Sequence, residues 1–191
     1  TAALNAWLNS NGGAAASDAC SGVTWSNDFV SLSDDCGATG AATVMFTATD
    51  DCGNATSTTA TFTIEDTSLP SMDTQASDLT VECDGLGNQS DLDGWLNSNG
   101  GASASDDCSG VTWSNNFSGL SDLCGATGAA TVTFTATDDC GHSVTTSATF
   151  TIEDTTPPAF EPYGGSQTVE CDGNGNVEEI DAWLELVNSS T

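Results

Sequence analysis

The sequence predicts a mostly β protein made of tandem 88-residue domains, and three observations predict it. The chain repeats itself: Trp7 returns as Trp95 and Trp183, Trp25 as Trp113, Cys20 as Cys108, Cys36 as Cys124, Cys52 as Cys140 and Cys83 as Cys171, each offset being 88 residues or twice that. The strings WLNSNGGA (from 7 and 95), CSGVTWSN (20 and 108), TATDDCG (47 and 135), TFTIEDT (61 and 149) and VECDG (81 and 169) come back without an insertion, as in a tandem array. Apolar residues alternate with Thr on both sides of a turn, the pattern of a β hairpin. Eight Cys lie on the same period, which suits small domains stapled together because each has little core of its own.

Within the complete repeat the elements follow in order. Leu79, Val81 and Cys83 alternate as a strand. Ser90 is placed to cap a short helix whose Leu92, Trp95 and Leu96 share one face, and Gly100 stops it. Val111 and Trp113 supply a middle strand and a core anchor. Val132, Phe134 and Ala136 then point one way, DDCGH turns the chain, and Ala148, Phe150 and Ile152 return in the same alternation. Thr fills the opposite face, which suits a wet β surface. Together these predict a small immunoglobulin-type β-sandwich with one inserted helix. Strands running into acids and Pro at IEDTSLP (64–70) and IEDTTPP (152–158) mark the boundaries. Repeat 1 (1–68) is expected to lack its first strand, repeat 2 (69–156) to be complete, and 157–191 to open a third. The expectation is a window on a longer protein; the alternative is a subunit whose broken domains are completed by neighbouring copies.

Charge narrows the function. Of 191 residues, 28 are Asp or Glu, one is His and none is Lys or Arg, giving a formal charge of −28. Nucleic acid and anionic lipid need basic side chains to meet phosphate, so neither is an expected partner. Without Arg, Lys or more than one His, little remains for acid–base catalysis or anion clamping, and no enzyme is expected. No run of 18 apolar residues is present, so no membrane insertion is expected.

TATDDCGN, TFTIEDT and the Pro pair that follows resemble the hyaline repeat (HYR) and related bacterial immunoglobulin-like repeats, over roughly half of each unit. The resemblance implies an extracellular, cell-surface setting in large adhesins and gliding-motility proteins of Bacteroidetes-type bacteria, where such units act mainly as spacers. The WLNSNGGA helix departs from the plain hyaline repeat.

Cysteines without CxxC pairs or a His cluster point to disulfides in an oxidising compartment rather than to zinc. Four per unit allow three pairings. The sandwich topology puts Cys83 and Cys124 at one end and Cys108 and Cys140 at the other, so the expected bonds are Cys83–Cys124, Cys108–Cys140 and, by the period, Cys20–Cys52. Each would contribute about 3–4 kcal/mol through loop closure. Cys36 and Cys171 are left to partners outside the chain, or to each other between copies through donation of strand 167–171.

Acids gather at one end of the sandwich: Asp106 and Asp107, Asp138 and Asp139, with Glu65 and Asp66 arriving from the preceding linker and Glu153 and Asp154 in the next. Crowded carboxylates repel and suit a hard cation. Ca²⁺ is expected at each junction on Asp66, Asp106, Asp138 and Asp139, with Asp107 and Asp154 as further candidates; the bland alternative is a solvated face of turn formers. The DGNGNVEE loop from Asp172 fails as an EF-hand, since Val177 and Trp183 occupy its sixth and twelfth positions. His142 reads as a turn residue, and Trp25 and Trp113 as core rather than as sugar platforms. Asn54, Asn88, Asn116 and Asn188 open N-x-Ser/Thr sequons, and Asp154, Thr155 and Thr156 match an O-glycosylation pattern, so attached glycan is an open expectation. The functional expectation is a Ca²⁺-stiffened, disulfide-stapled stalk, filament or adhesin segment whose partners are neighbouring copies of the repeat. The alternatives are a carbohydrate- or surface-binding module and a head-to-tail filament subunit.

Overall fold

The computed structural model describes residues 2–159 and 167–188, and the chain divides into two compact units, 1–154 and 155–191. The first unit holds both repeats. Repeat 1 comprises α1 (Ala2–Asn9), β1 (Val23–Asn27), β2 (Gly40–Asp50) and β3 (Ala55–Ile64). Repeat 2 comprises β4 (Ser71–Thr74), β5 (Leu79–Glu82), α2 (Gln89–Asn97), β6 (Ser103–Ser105), β7 (Val111–Asn115), β8 (Gly128–Asp138) and β9 (Ser143–Glu153). The second unit contributes α3 (Val177–Asn188).

Repeat 2 is a mostly β, immunoglobulin-like sandwich of uneven layers. Its main sheet has the order β5-β9-β8-β7, and a β4–β6 ribbon with α2 makes the other layer. The anticipated hairpin is present, with Val132 opposite Ala148, Ala130 opposite Phe150 and Gly128 opposite Ile152. β5 joins β9 in parallel, Leu79 opposite Phe150 and Val81 opposite Ile152, so the first strand closes the sheet edge beside the last. Phe134 and Phe150 are fully buried, and Trp95 lies edge-on to Phe134 at 5.2 Å and tilted to Phe150 at 5.7 Å. Repeat 1 mirrors this with Trp7 at 5.3 Å from Phe46 and 5.4 Å from Phe62. Its sheet, β1-β2-β3, has the same antiparallel register, but among the described residues nothing pairs with the outer edge of β3.

The Thr face is ordered by cross-strand hydroxyl pairs: Thr43–Thr61 at 2.8 Å, Thr47–Ser57 at 3.0 Å, Thr131–Thr149 at 2.9 Å and Thr133–Ser147 at 2.9 Å. Each pair stabilises the sheet by a few tenths of a kcal/mol to about 1 kcal/mol.

Several local expectations change. Asn88, not Ser90, precedes the helix. It adopts a left-handed conformation (φ 48°) and turns its side chain backwards, donating to Glu82 O at 2.9 Å and Asp91 Oδ2 at 3.0 Å and accepting from Asp84 N at 3.1 Å. It is 4% exposed, which makes this sequon a structural clasp rather than a glycan acceptor. Trp113 is half-buried against the core rather than central to it. The short β4 and β6, Ser- and Thr-rich and without clear alternation, were not legible in the sequence. In the second unit residues 167–171 form no strand. Residues 160–166 and 189–191 of the expected third domain, and with them the end of the Asn188 sequon, lie outside the described residues.

Candidate functional site at the seam between repeats

The chemistry of the first unit concentrates where repeat 1 meets repeat 2. Three segments of repeat 2 and its linker supply polar groups: the loop before β7, the β8–β9 turn, and the linker carrying Asp66. In the first, Asp106 Oδ1 accepts from the backbone N–H of Cys108 at 2.9 Å and of Ser109 at 3.0 Å. In the turn, Asp138 Oδ1 accepts from Cys140 N and His142 N, each at 2.8 Å, while Oδ2 lies 3.0 Å from His142 Nδ1. Asp has this role because its short carboxylate reaches its own backbone two to four residues on. The side chain of Asp138 is fully buried. Burial opposes its ionisation, but hydrogen bonds from the His142 main chain and ring and from Cys140 N–H outweigh that and hold it below the usual carboxylate value.

Asp66 enters this cup from the linker. Its Oδ1 accepts from Ser68 N at 3.0 Å, whereas Oδ2 is buried with no hydrogen-bond partner. One ligand atom each from Asp66, Asp138 and His142 lies within 4.8 Å of the others, and the same holds for Asp66, Asp106 and Cys108. A buried carboxyl oxygen with no hydrogen-bond partner is costly unless another group, such as a cation, meets it. The donor set, dominated by carboxylate oxygens, fits a hard divalent ion. Of the six expected ligands, Asp66 lies with Asp138 in one group and with Asp106 in the other, while Asp107, Asp139 and Asp154 belong to neither group. Asp139 instead donates its backbone N–H to Ser109 Oγ at 3.3 Å, tying the two loops together. His142 and Cys108 were missed as members of the cup. The signal for His142 was present, because Asn54 at the same repeat position makes the same bond to Asp50 Oδ2 at 2.8 Å.

The seam is also covalent, and here the expected pairing is corrected. Cys140 bonds Cys36 of repeat 1, not Cys108, with S–S 2.05 Å and Cα–Cα 5.0 Å. Cys20, Cys52, Cys83, Cys108, Cys124 and Cys171 are free thiols, so the expected Cys20–Cys52 and Cys83–Cys124 bonds, and Cys36–Cys171 between copies, are not those made. The reason is the approach of the 36–39 loop. Ala38 N donates to Cys108 O at 2.9 Å, and a Cβ on Gly37 (φ 55°) would stand 2.6 Å from Ser109 Cβ and 2.8 Å from Cys108 O. The seam therefore uses the Cys108 carbonyl and leaves its sulfur aside. Burial, then the charges of Asp66, Asp106, Asp107 and Asp138, push the Cys108 thiol up and keep it protonated. Topology within one domain could not show that a neighbour's loop arrives first.

Repeat 1 carries the same two acid-anchored turns. Asp18 Oδ1 accepts from Cys20 N at 2.8 Å and Ser21 N at 2.9 Å, and Asp50 Oδ1 accepts from Cys52 N and Asn54 N at 2.8 Å each. No described helix is long and apolar enough to cross a membrane.

No protein-family model matches the chain, and no curated protein matches it in sequence. Among solved structures it is similar to Drosophila N-cadherin EC1-4, at 12% identity over 71% of this chain and 42% of that one, with a TM-score of 0.30. It is also similar to the protocadherin gammaB7 EC3-6 cis-dimer structure (17% identity, 74% and 46% covered, TM-score 0.31) and to mouse clustered PcdhgC3 EC1-3 (13%, 62% and 44%, 0.30). The chain spans less than half the length of each of these three.

Proposed function

We propose that the chain is a non-catalytic segment of an extracellular, cell-surface stalk, filament or adhesin of hyaline-repeat type, in which each seam is fastened by a disulfide and stiffened by Ca²⁺. The observation that carries this reading is the seam. Asp66, on the linker itself, has a buried unpartnered oxygen and lies in one group with Asp138 and in another with Asp106, while Cys36–Cys140 ties the two repeats together. A cation held by linker and cup would couple the two repeats mechanically. The bound ion would supply charge neutralisation and fixed geometry; Asp138 and Asp106, already oriented by backbone N–H groups, would lose little freedom on binding it. A disulfide persists in an extracellular compartment, which agrees with a covalent seam. The Thr face, whose hydroxyls pair with one another, gives no support to a carbohydrate site. Small-angle scattering of the chain with Ca²⁺ and with chelator tests the reading. A fixed distance between repeats that loosens on chelation is expected; identical broad ensembles would remove the cation from the account.

A second reading, assembly by donated strands, is favoured by one observation. The outer edge of β3 carries no partner among the described residues, whereas β9 is paired by β5. Val169 and Cys171 stand at the repeat positions of Val81 and Cys83, so segment 167–171 of another copy has the pattern that this edge accepts.

A further inference from the structure

Sequons open at Asn54, Asn88, Asn116 and Asn188, and the fold treats the first three differently. Asn88 is buried and its amide nitrogen donates to Glu82 O and Asp91 Oδ2, so a sugar there would undo the clasp before α2. Asn54 commits its amide nitrogen to Asp50 Oδ2 at 2.8 Å and so holds the β2–β3 turn. Asn116 is exposed and uses only its oxygen: Oδ1 accepts from Thr133 N at 2.8 Å, where the chain leaves β7. A backbone N–H needs an acceptor, which sets the amide with its oxygen toward β8 and its nitrogen away. Repeat 1 shows that this nitrogen is not needed for the fold. Its Asp28, at the same repeat position, accepts from Met45 N at 2.7 Å with a carboxylate oxygen. Two differences between the copies convert DFV at 28–30 into NFS at 116–118. In the second copy Phe117 packs against the core while Asn116 and Ser118 on either side of it stay exposed. The amide and the hydroxyl that define a sequon are therefore both open to solvent.

We propose that Asn116 is the attachment site of an N-linked oligosaccharide. The inference rests on the extracellular setting of the stalk reading and on nothing at the seam. The co-reactant is an oligosaccharide carried on a lipid diphosphate. Asn116 Nδ2 forms a bond to the anomeric carbon of the first sugar while the bond from that carbon to the diphosphate oxygen breaks. The lipid diphosphate leaves with the electron pair, and one Nδ2 proton passes to a base of the transferase, so nothing is oxidised or reduced. Oδ1 takes no part and keeps its bond from Thr133 N, and the modified loop needs no new backbone conformation. The sugar stands where β7, the outer strand of the main sheet, gives way to the loop that follows it. A bulky hydrated group there hinders a strand of another molecule from adding to that edge.

The test secretes the full 191-residue chain from a eukaryotic cell line, treats its peptides with peptide N-glycosidase in heavy-oxygen water and maps them by mass spectrometry. The enzyme turns each glycosylated Asn into a labelled Asp, so the label names the site. Label at Asn116 and none at Asn88 is expected, with the glycan lost in Asn116→Asp and in Ser118→Ala. Asn116→Asp should melt with the chain made in a host that lacks the transferase, since Asp28 already makes the equivalent bond. The double variant Asp28→Asn, Val30→Ser should gain a second glycan in repeat 1. A bare Asn116, label at Asn88, or no gain in the double variant would overturn the proposal. The peptide pair joined through Cys36 and Cys140 is read from the same digest. That pair with a bare Asn116 would refute the glycan alone, whereas loss of the pair with Asn116 labelled would refute the covalent seam and leave the glycan standing.

Discussion

Gly37 and Gly125 form a matched pair that isolates the contribution of the seam. Both have left-handed backbones, φ 55° and 60°, in loops with the same hydrogen bonds. Replacing either with Ala incurs the same conformational cost, about 1–2 kcal/mol for an L-residue in that region. At Gly125 nothing else is met. At Gly37 the new methyl falls 2.6 Å from Ser109 Cβ and 2.8 Å from the Cys108 carbonyl, distances that a real Cβ does not tolerate. The loop must back away, stretching the 2.9 Å Ala38 N to Cys108 O bond, whose net contribution is about 0.5–1.5 kcal/mol, and moving Cys36 from Cys140. Gly125→Ala should therefore lower the melting temperature by several degrees, since about 1 kcal/mol corresponds to roughly 4–8 °C in a domain of this size. Gly37→Ala should lower it further, by about 1 kcal/mol more, and should also slow formation of the Cys36–Cys140 bond and widen the distance between repeats. Differential scanning calorimetry and scattering read both effects. Equal behaviour of the two variants would refute the close approach of the repeats.

Other expectations follow from the same geometry. Trp95→Ala should cost about 3–5 kcal/mol, because it empties the space against Phe134 and Phe150, and should lose the near-ultraviolet circular dichroism of repeat 2; Trp7→Ala, at a half-exposed site, should cost less. His142→Asn should leave the turn intact in thermal melts, since Asn54 already makes the equivalent bond to Asp50. Asp138 and Asp50 are both depressed below 3.8, so they stabilise the fold at neutral pH and lose that contribution only as the pH falls below the ordinary carboxylate value. Acid melts should thus stay flat down to about pH 4 and then drop, and Asp138→Asn should flatten the drop. Asp66→Asn should abolish Ca²⁺ heat in calorimetry while leaving the melting temperature in chelator unchanged or raised.

Much of the fold was legible because the signals were local and duplicated. The alternation of Val132, Phe134 and Ala136 against Ala148, Phe150 and Ile152 dictated a hairpin whose register the structure repeats in both copies. Leu92 and Trp95 on one helix face similarly foretold the packing of α2. What escaped were features settled between distant segments. The parallel pairing of β5 with β9 joins residues about seventy apart, and no periodicity announces it. Asn88 looked like a sequon and proved to be a clasp because its side chain serves backbone groups behind it. Charge alone drew attention to the acids of the junction that the repeat implied, where Asp66 lies in one group with Asp138 and in another with Asp106. The disulfide was misassigned for a reason of the same kind: pairing within a domain assumes that the domain is the closed unit, whereas Gly37 lets the neighbour's loop in. Asp138 shows the limit in miniature, its role as a buried anchor being set by His142, which looked in sequence like a turn residue only.

The central claim is that consecutive repeats are locked to each other rather than stapled one by one. Disulfide mapping of the unreduced protein, alkylated before digestion, tests it most directly. The structure predicts a peptide pair joined through Cys36 and Cys140, with Cys20 and Cys108 recovered as alkylated thiols; pairs joining Cys108 to Cys140 and Cys20 to Cys52 would contradict it.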